Sequence, residues 1–382
     1  MEEKSRFIVM DKVYINRSSI LTPLGLSVDT NWHQLIEGKS GLSKIEKFGH
    51  LNNFFAGKID DNRFRNLIDQ INENESYTRL EVFAILTLKD IFLKENITSK
   101  TGLFISTTKG NIHQLSTSLE KASISLMAKK IADYFQIKTE PIVVCNACVS
   151  GVLAVNTAKR YIEMGLYDDA YVLALDELTD FVLTGFNSFQ VMDFEECKPF
   201  DINRKGVNLG EAVAAVYISK DKTEKSFQIL GEASINDANH ISGPSRTGEG
   251  LVRSVERALQ EANINSSDID YISAHGTATN YNDEMEAIAF DRLKMNHIPT
   301  NSLKSYFGHT LGASGLLEII LAMKQAEENI VLKNLNFSEL GTSVSINIPK
   351  NNLAKKINIF LKTSSGFGGS NAVIILKKVN HD

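Results

Sequence analysis

The sequence predicts an α/β fold built from two similar halves. Short apolar runs rich in β-branched residues alternate with stretches of helical periodicity, which is the pattern of buried strands covered by helices. A charged segment, 219–226, interrupts this alternation near the middle and divides the chain into predicted halves 1–222 and 223–382. Residues 150–158 also resemble residues 314–322 at a constant offset of 164, which indicates duplication of one α/β unit.

The individual elements follow from two criteria. Apolar runs bounded by polar or glycine-containing segments are predicted strands, and longer stretches with apolar residues three or four positions apart are predicted helices. In the first half these criteria give strands at 12–15, 102–106, 141–144, 170–175 and 212–218, with helices around 28–37 and 152–161. In the second half they give strands at 228–230, 269–274, 358–362 and 372–377, with helices at 250–263, 282–294 and 311–327.

The composition limits the function before any motif is considered. The 382 residues carry a net charge of −5, so no basic excess favours binding to nucleic acid or to an anionic membrane. The most apolar windows, such as 315–323, are too short to span a bilayer. Three cysteines do not form a disulfide framework, and residues 1–6 lack the apolar segment of a signal peptide, so we expect a protein of the reducing cytoplasm.

Cys148 occupies the turn between a predicted strand and a predicted helix. A thiol in the first turn of a helix lies near unpaired backbone N–H groups, which lower its pKa, favour a nucleophilic thiolate and are able to hold an oxyanion. A buried structural thiol is the competing interpretation. Cys145 and Cys148 also fit a C-x-x-C redox or zinc motif, but Cys197 forms no second pair, so both of these readings rank low.

Two histidines lie in turns of the second half. His275 follows the strand at 269–274, at the end of a strand where the sites of α/β proteins gather. His309 lies in a glycine-rich turn before a helix, with Lys304 five residues upstream. Either histidine alone fits an ordinary core position, whereas the combination favours a site. The segment 365–371 reads either as a hairpin turn or as a source of backbone N–H donors close to a substrate.

Six separated motifs, which follow one another along the chain in the same order as in the family, together resemble the elongating β-ketoacyl-acyl-carrier-protein synthases of the thiolase superfamily. The resemblance covers nearly the whole chain and implies a thiolase-type fold, in which two similar α/β halves form a five-layer αβαβα sandwich. It also implies a homodimer, with a heterodimer of related synthases as a second arrangement. The motifs are the segments 146–151, 198–212, 275–279, 282–286, 304–315 and 366–371.

The resemblance implies an acyltransferase that performs a decarboxylative Claisen condensation. An acyl group joins Cys148, and a malonyl unit on acyl carrier protein then loses carbon dioxide and extends the acyl group. His275 and His309 would stabilise the enolate, while the amides of Cys148 and Phe367 would receive the second oxyanion.

The remaining site residues are also carried over from the resemblance. Lys304 would hold a charge network with Glu318, Phe367 would act as a gate to the acyl pocket, and Thr277 and Thr279 would bind the pantetheine amides. The resemblance implies no metal and no tightly bound cofactor, because the substrates arrive on the phosphopantetheine of the carrier protein. The supporting glycines are Gly366, Gly368 and Gly369.

Departures from the common pattern concern the substrate. Lys109 stands in a segment that is usually rich in glycine, and Asn280 stands where proline is usual, which favours a specialised polyene or polyketide pathway alongside fatty-acid synthesis. A degradative thiolase needs a second cysteine near the C-terminus, and a starter-type synthase uses Cys-His-Asn, so both lose ground. A non-condensing partner subunit, similar to a chain-length factor, remains the alternative, although such subunits typically lack the thiol that Cys148 provides.

Overall fold

The structure is a computed structural model that describes residues 11–71, 77–237 and 243–379; residues 1–6, which carry the expectation about a signal peptide, lie outside the described residues. Its strands are β1 Val13–Thr22, β2 Gly25–Leu26, β3 Ser43–Phe48, β4 Leu51–Gly57, β5 Thr101–Ser106, β6 Ile142–Val144, β7 Asp169–Asp176, β8 Leu209–Gly210, β9 Ala212–Ser219, β10 Phe227–Asn236, β11 Tyr271–Ser273, β12 Thr300–Asn301, β13 Ile330–Val331, β14 Leu353–Ala354, β15 Ile359–Gly366 and β16 Ser370–Lys378. Its helices are α1 Val28–Ile36, α2 Arg65–Ile71, α3 Arg79–Lys89, α4 Leu119–Ala122, α5 Ile124–Tyr134, α6 Ser150–Glu163, α7 Asp180–Ser188, α8 Glu249–Ala262, α9 Asn280–Arg292, α10 Lys304–Phe307 and α11 Ser314–Glu328.

The large sheet repeats one topology twice. Its order is β12-β11-β15-β16-β10-β1-β9-β7-β5-β6, with β2 added beside β1. In each half, the three outer strands pair in parallel with one another, and the next two strand pairings towards the centre are antiparallel. By this pattern β5 corresponds to β11, β7 to β15 and β9 to β16. The halves join where Val13 of β1 pairs with Ile229 of β10. This symmetry confirms the α/β fold with two similar halves.

Helices cover both faces of each half and so make five layers. Alternate side chains of β5 and β7 face α3 and α5 on one side and the central helices α6 and α11 on the other, as the two apolar clusters of the first half show. Helices α8 and α9 cover the outer face of the second half. None of the described helices is both long and apolar enough to cross a bilayer.

The two central helices meet backbone to backbone at their first turns. A Cβ atom added to Gly151 of α6 would lie 2.7 Å from the Leu316 amide nitrogen, and one added to Gly315 of α11 would lie 2.8 Å from the Val152 amide nitrogen. Only glycine at both positions permits this approach. The Ser-Gly pairs that recur in the sequence at a fixed offset are therefore the two sides of one contact.

All predicted strands and helices are present, with ends shifted by a few residues. The sequence did not predict α3, because nine of its eleven residues are buried and a helix buried on all sides has no amphipathic period. The strand β10 runs to Asn236, well beyond residue 230, since β16 pairs with it along that whole length. The division at residue 222 lies in the connection 220–226 between β9 and β10 and stays a prediction.

Candidate functional site

Cys148 lies in a tight turn between β6 and α6. The turn requires a positive φ of 42° at Ala147, a conformation that is uncommon for alanine. The Ser150 hydroxyl closes the turn by accepting a hydrogen bond from the Asn146 amide at 2.7 Å and donating to the Ala147 carbonyl at 2.6 Å. Helix α6 begins at Ser150 with Val149 as its N-cap, so Cys148 precedes the helix, whereas the sequence analysis placed it in the first turn.

The environment of the thiol is apolar enough to oppose ionisation. Burial raises the pKa of Cys148 to about 11, against smaller opposing effects of the Lys304 charge and a hydrogen bond from the Phe367 amide. The expectation that the turn lowers the pKa of the Cys148 thiol is therefore wrong. The reason is desolvation, since Cys148 is only 7% exposed in the folded chain.

The hairpin between β15 and β16 covers the thiol. A Cβ atom added to Gly366 would lie 3.2 Å from the Cys148 amide nitrogen, so the hairpin backbone passes directly over the nucleophile turn. Gly368 and Gly369 have φ values of 89° and 81°, which favour glycine. The Phe367 side chain packs against aromatic rings of the α7 region, with centroid distances of 5.8 Å to Phe186 and 5.5 Å to Phe189. The segment is thus both a hairpin turn and part of the site.

The histidine pair faces the thiol. One side-chain atom from each of Cys148, His275 and His309 lies within 4.8 Å of the others, and all three residues are buried. The two imidazole rings are nearly perpendicular, with centroids 5.3 Å apart. Glu286 holds the turn that carries His275, because its carboxylate accepts hydrogen bonds from the amides of His275 and Gly276 at 2.8 and 2.6 Å.

Hydrogen bonds fix which ring nitrogen of each histidine carries the proton. Lys304 Nζ lies 3.2 Å from His275 Nδ1 and 2.7 Å from the Glu318 carboxylate, so a charged ammonium donates to Nδ1 and leaves the proton on Nε2. The Leu311 amide donates to His309 Nδ1 at 3.2 Å, with the same consequence. In the described part of the chain, His309 Nε2 has no hydrogen-bond partner. Each ring therefore presents an Nε2–H donor.

Burial keeps both imidazoles neutral. It lowers the pKa of His309 to about 3 and places that of His275 well below its ordinary value, and the positive charge of Lys304 acts in the same direction. Cys148, His275 and His309 have the residue types of a metal site. However, the hydrogen bonds to Nδ1 leave no lone pair on Nε2 of either histidine, so this geometry is suited to donating hydrogen bonds and not to binding a cation.

A cavity of about 130 Å³ opens onto these groups. Thr277 and Thr279 line it, and their hydroxyls lie 2.8 Å apart, so both predicted threonines belong to the wall of the cavity. Other lining residues include Cys148, His275, His309, Gly366, Phe367 and Gly369. The structure thus brings the sequence-predicted residues together.

Sequence reasoning missed Lys362. This lysine of β15 is fully buried, and its Nζ lies 2.6 Å from Glu318 Oε2, on the opposite side of the carboxylate from Lys304. The available signal was a single charge inside an apolar strand that leads straight into the glycine-rich hairpin. Such a charge requires a buried partner, and Glu318 supplies it.

Comparisons with known proteins agree with this arrangement. The family models "Beta-ketoacyl synthase, N-terminal domain" and "Beta-ketoacyl synthase, C-terminal domain" match residues 10–224 and 227–338. The chain is 27% identical to a putative mitochondrial 3-oxoacyl-[acyl-carrier-protein] synthase of Schizosaccharomyces pombe, over 97% of this chain and 99% of that protein. It is 26% identical to 3-oxoacyl-[acyl-carrier-protein] synthase 2 of Rhizobium meliloti, with the same coverage.

Solved structures share the fold. A chain from the complex of the ketosynthase ApeO with its chain length factor ApeC, from Xenorhabdus doucetiae, superposes with a TM-score of 0.84 at 23% identity and covers 99% of this chain and 100% of that one. A beta-ketoacyl synthase from Burkholderia phymatum gives the same TM-score at 22% identity, covering 97% and 100%.

Proposed function

The chain belongs to the beta-ketoacyl synthase family of condensing acyltransferases, and on that premise we propose that Cys148, His275 and His309 are its catalytic residues. The proposed substrates are an acyl thioester, which is transferred to Cys148, and a malonyl unit on an acyl carrier protein. The observation that carries the proposal is the meeting of a thiol with two buried, neutral imidazoles, with one side-chain atom of each of the three residues within 4.8 Å of the others.

The first step is acyl transfer to Cys148. The sulfur attacks the thioester carbonyl, the bond from the acyl carbon to the carrier sulfur breaks, and the Cys148 proton ends on the departing carrier thiol. The tetrahedral oxygen is held by the Cys148 and Phe367 amides. Gly366 supports this role, because its backbone lies against the Cys148 amide and the Phe367 amide already donates a hydrogen bond to the thiol.

The second step is decarboxylation of the malonyl unit and carbon–carbon bond formation. Loss of carbon dioxide leaves an enolate, whose oxygen accepts hydrogen bonds from the Nε2–H groups of His275 and His309. Neutral donors suit this task, because a protonated imidazole would transfer its proton to the enolate and end the reaction. The carbanion then attacks the acyl-Cys148 carbonyl, and the thiolate leaves. No general base is needed to make the carbanion.

The cavity supplies the approach for the carrier arm. Thr277 and Thr279 offer hydroxyls for the amides of phosphopantetheine, and Phe367, which packs on Phe186 and Phe189, separates this approach from the acyl side. No tightly bound cofactor is needed for the two steps. The carrier protein is thus the proposed partner.

A homodimer in the cytoplasm is also proposed. The strand β6 ends the large sheet, is only half-buried and leads directly into the Cys148 turn, so a second copy is well placed to complete the acyl side of the site. The free thiols of Cys145, Cys148 and Cys197 fit a reducing compartment. Size-exclusion chromatography with light scattering tests the oligomeric state.

The function is tested with purified protein, acyl-carrier proteins of graded chain length and malonyl-carrier protein. We expect β-ketoacyl product from at least one chain length, and none from the Cys148→Ala variant. Absence of product at every length, with activity restored by adding a related ketosynthase subunit, would show that the chain is a non-condensing partner instead.

A further inference from the structure

Lys362 is a fully buried lysine that the two chemical steps do not use. Besides the ion pair with Glu318, its Nζ donates hydrogen bonds to three backbone carbonyls: Ser273 at 3.2 Å, Ala274 at 3.1 Å and Thr363 at 2.6 Å. All four neighbours are oxygen atoms. The ammonium therefore occupies the kind of cage that binds a monovalent cation, except that this cation is covalently attached to β15.

The cage keeps its charge because Glu318 stays ionised. Burial would raise the pKa of Glu318, yet the charges of Lys304 and Lys362 lower it to about 2. Burial also lowers the pKa of Lys362, and the Glu318 charge opposes that effect. A buried carboxylate with a single lysine would have one oxygen without a cation, and the two lysines divide the two oxygens between them.

Lys362 reaches His275 by two separate routes. It binds the carbonyls of Ser273 and Ala274, the two residues that precede His275 at the end of β11. It also fixes Glu318, which holds Lys304, which in turn donates to both Nδ1 and the carbonyl of His275. Both the backbone and the ring of His275 are therefore oriented by contacts that begin at one ammonium.

We propose that Lys362 is a positioning residue, a tethered monovalent cation that aims the His275 Nε2–H at the enolate oxygen. The proposal rests on the proposed function for its catalytic consequence. Its role is confined to decarboxylation and condensation. Acyl transfer to Cys148 uses the backbone amides of Cys148 and Phe367, whereas the Lys362 ammonium binds the carbonyls of Ser273, Ala274 and Thr363, so this step does not need the Lys362 charge.

The test uses two variants that remove the charge differently. Lys362→Ala empties the cage, whereas Lys362→Met fills it with an apolar chain of similar length. We expect kcat for malonyl-carrier decarboxylation to fall about 10- to 100-fold in both variants, with little change in KM. A loss of this size is typical when a residue that orients a functional side chain is removed. Ammonium or potassium chloride should restore activity to Lys362→Ala and not to Lys362→Met. Acylation of Cys148, followed by mass spectrometry, should persist in both.

The matched control is Lys159→Ala, which removes another buried lysine, paired with Glu163 and Glu261 at the far end of α6. It should lower stability without a cation-dependent change in activity. Tetramethylammonium chloride at equal ionic strength is too large for the cage and should rescue nothing.

A second measurement does not depend on catalysis. The thermal midpoint of Lys362→Ala should rise with ammonium and not with tetramethylammonium. The proposal is overturned if a folded Lys362→Ala protein decarboxylates as fast as the wild type. It is also overturned if activity is lost and ammonium raises neither the activity nor the thermal midpoint. If the wild type itself fails to decarboxylate malonyl-carrier protein, the proposed function fails, and the midpoint measurement still decides whether the cage holds a cation.

Discussion

Replacing His309 with asparagine should make the protein less sensitive to acid. In the folded state burial lowers the pKa of His309 to about 3 from its ordinary 6.5, so the unfolded chain binds a proton as the pH falls while the folded chain does not. Unfolding is therefore favoured below pH 6.5. At pH 5, protonation of this one group lowers the free energy of the unfolded state relative to the folded state by about 2 kcal/mol, and at pH 8 it changes that difference by almost nothing.

Asparagine suits the experiment because its side-chain oxygen can still accept the Leu311 amide, as Nδ1 of His309 does. Urea unfolding can be followed by the fluorescence of Trp32, the only tryptophan, which is buried. We expect the loss of unfolding free energy between pH 8 and pH 5 to be about 2 kcal/mol smaller in His309→Asn than in the wild type. The surface variant His297→Asn is the control. Equal losses in wild type and His309→Asn would refute the buried neutral imidazole.

Three further outcomes are expected. Cys148→Gln should still decarboxylate malonyl-carrier protein, at a rate that does not fall between pH 8 and pH 5.5, because both histidines stay neutral there; an inflection near pH 6.5 in steady-state assays would contradict this. Mass spectrometry should find the acyl group on Cys148 in a Cys145→Ala protein and nowhere in Cys148→Ala, whereas acyl on Cys145 would reverse the assignment. Gly151→Ala should destabilise by about 1–3 kcal/mol through its contact with Leu316, while Gly185→Ala, which has open space, should not lower the thermal midpoint.

Local motifs carried most of the site. Cys148, His275, His309 and Lys304 stand in short segments whose residue types already indicate their chemistry, and the structure brings them together. Glu318 was assigned as the partner of Lys304 from the family resemblance, and its apolar neighbours in the sequence favoured a buried ion pair over a solvated helix residue. Their catalytic roles stay predictions until the variants are measured.

Properties that depend on distant segments could not be predicted in this way. The raised pKa of Cys148 comes from burial, and the hairpin that lies over its turn belongs to a segment more than 200 residues away along the chain, so the sequence of the turn alone could not indicate it. Lys362 was missed for a related reason, since the oxygens around it come from β11 and α11 as well as from its own strand. Similarly, α3 packs against neighbouring elements on all sides, so its apolar residues are not confined to one face and its sequence shows no amphipathic period from which a helix could be predicted.

The contact between Gly151 and Gly315 restricts how the two halves can diverge. Cys148 lies three residues before one glycine and Glu318 three residues after the other, so the spacing of the thiol from the buried ion pairs is set where the two helices touch. A chimera that joins halves from two relatives would have to inherit a matching pair at this crossing. A bulkier residue at either glycine position would move Cys148 away from the ion pairs of Glu318, and the chimera would fold but be inactive.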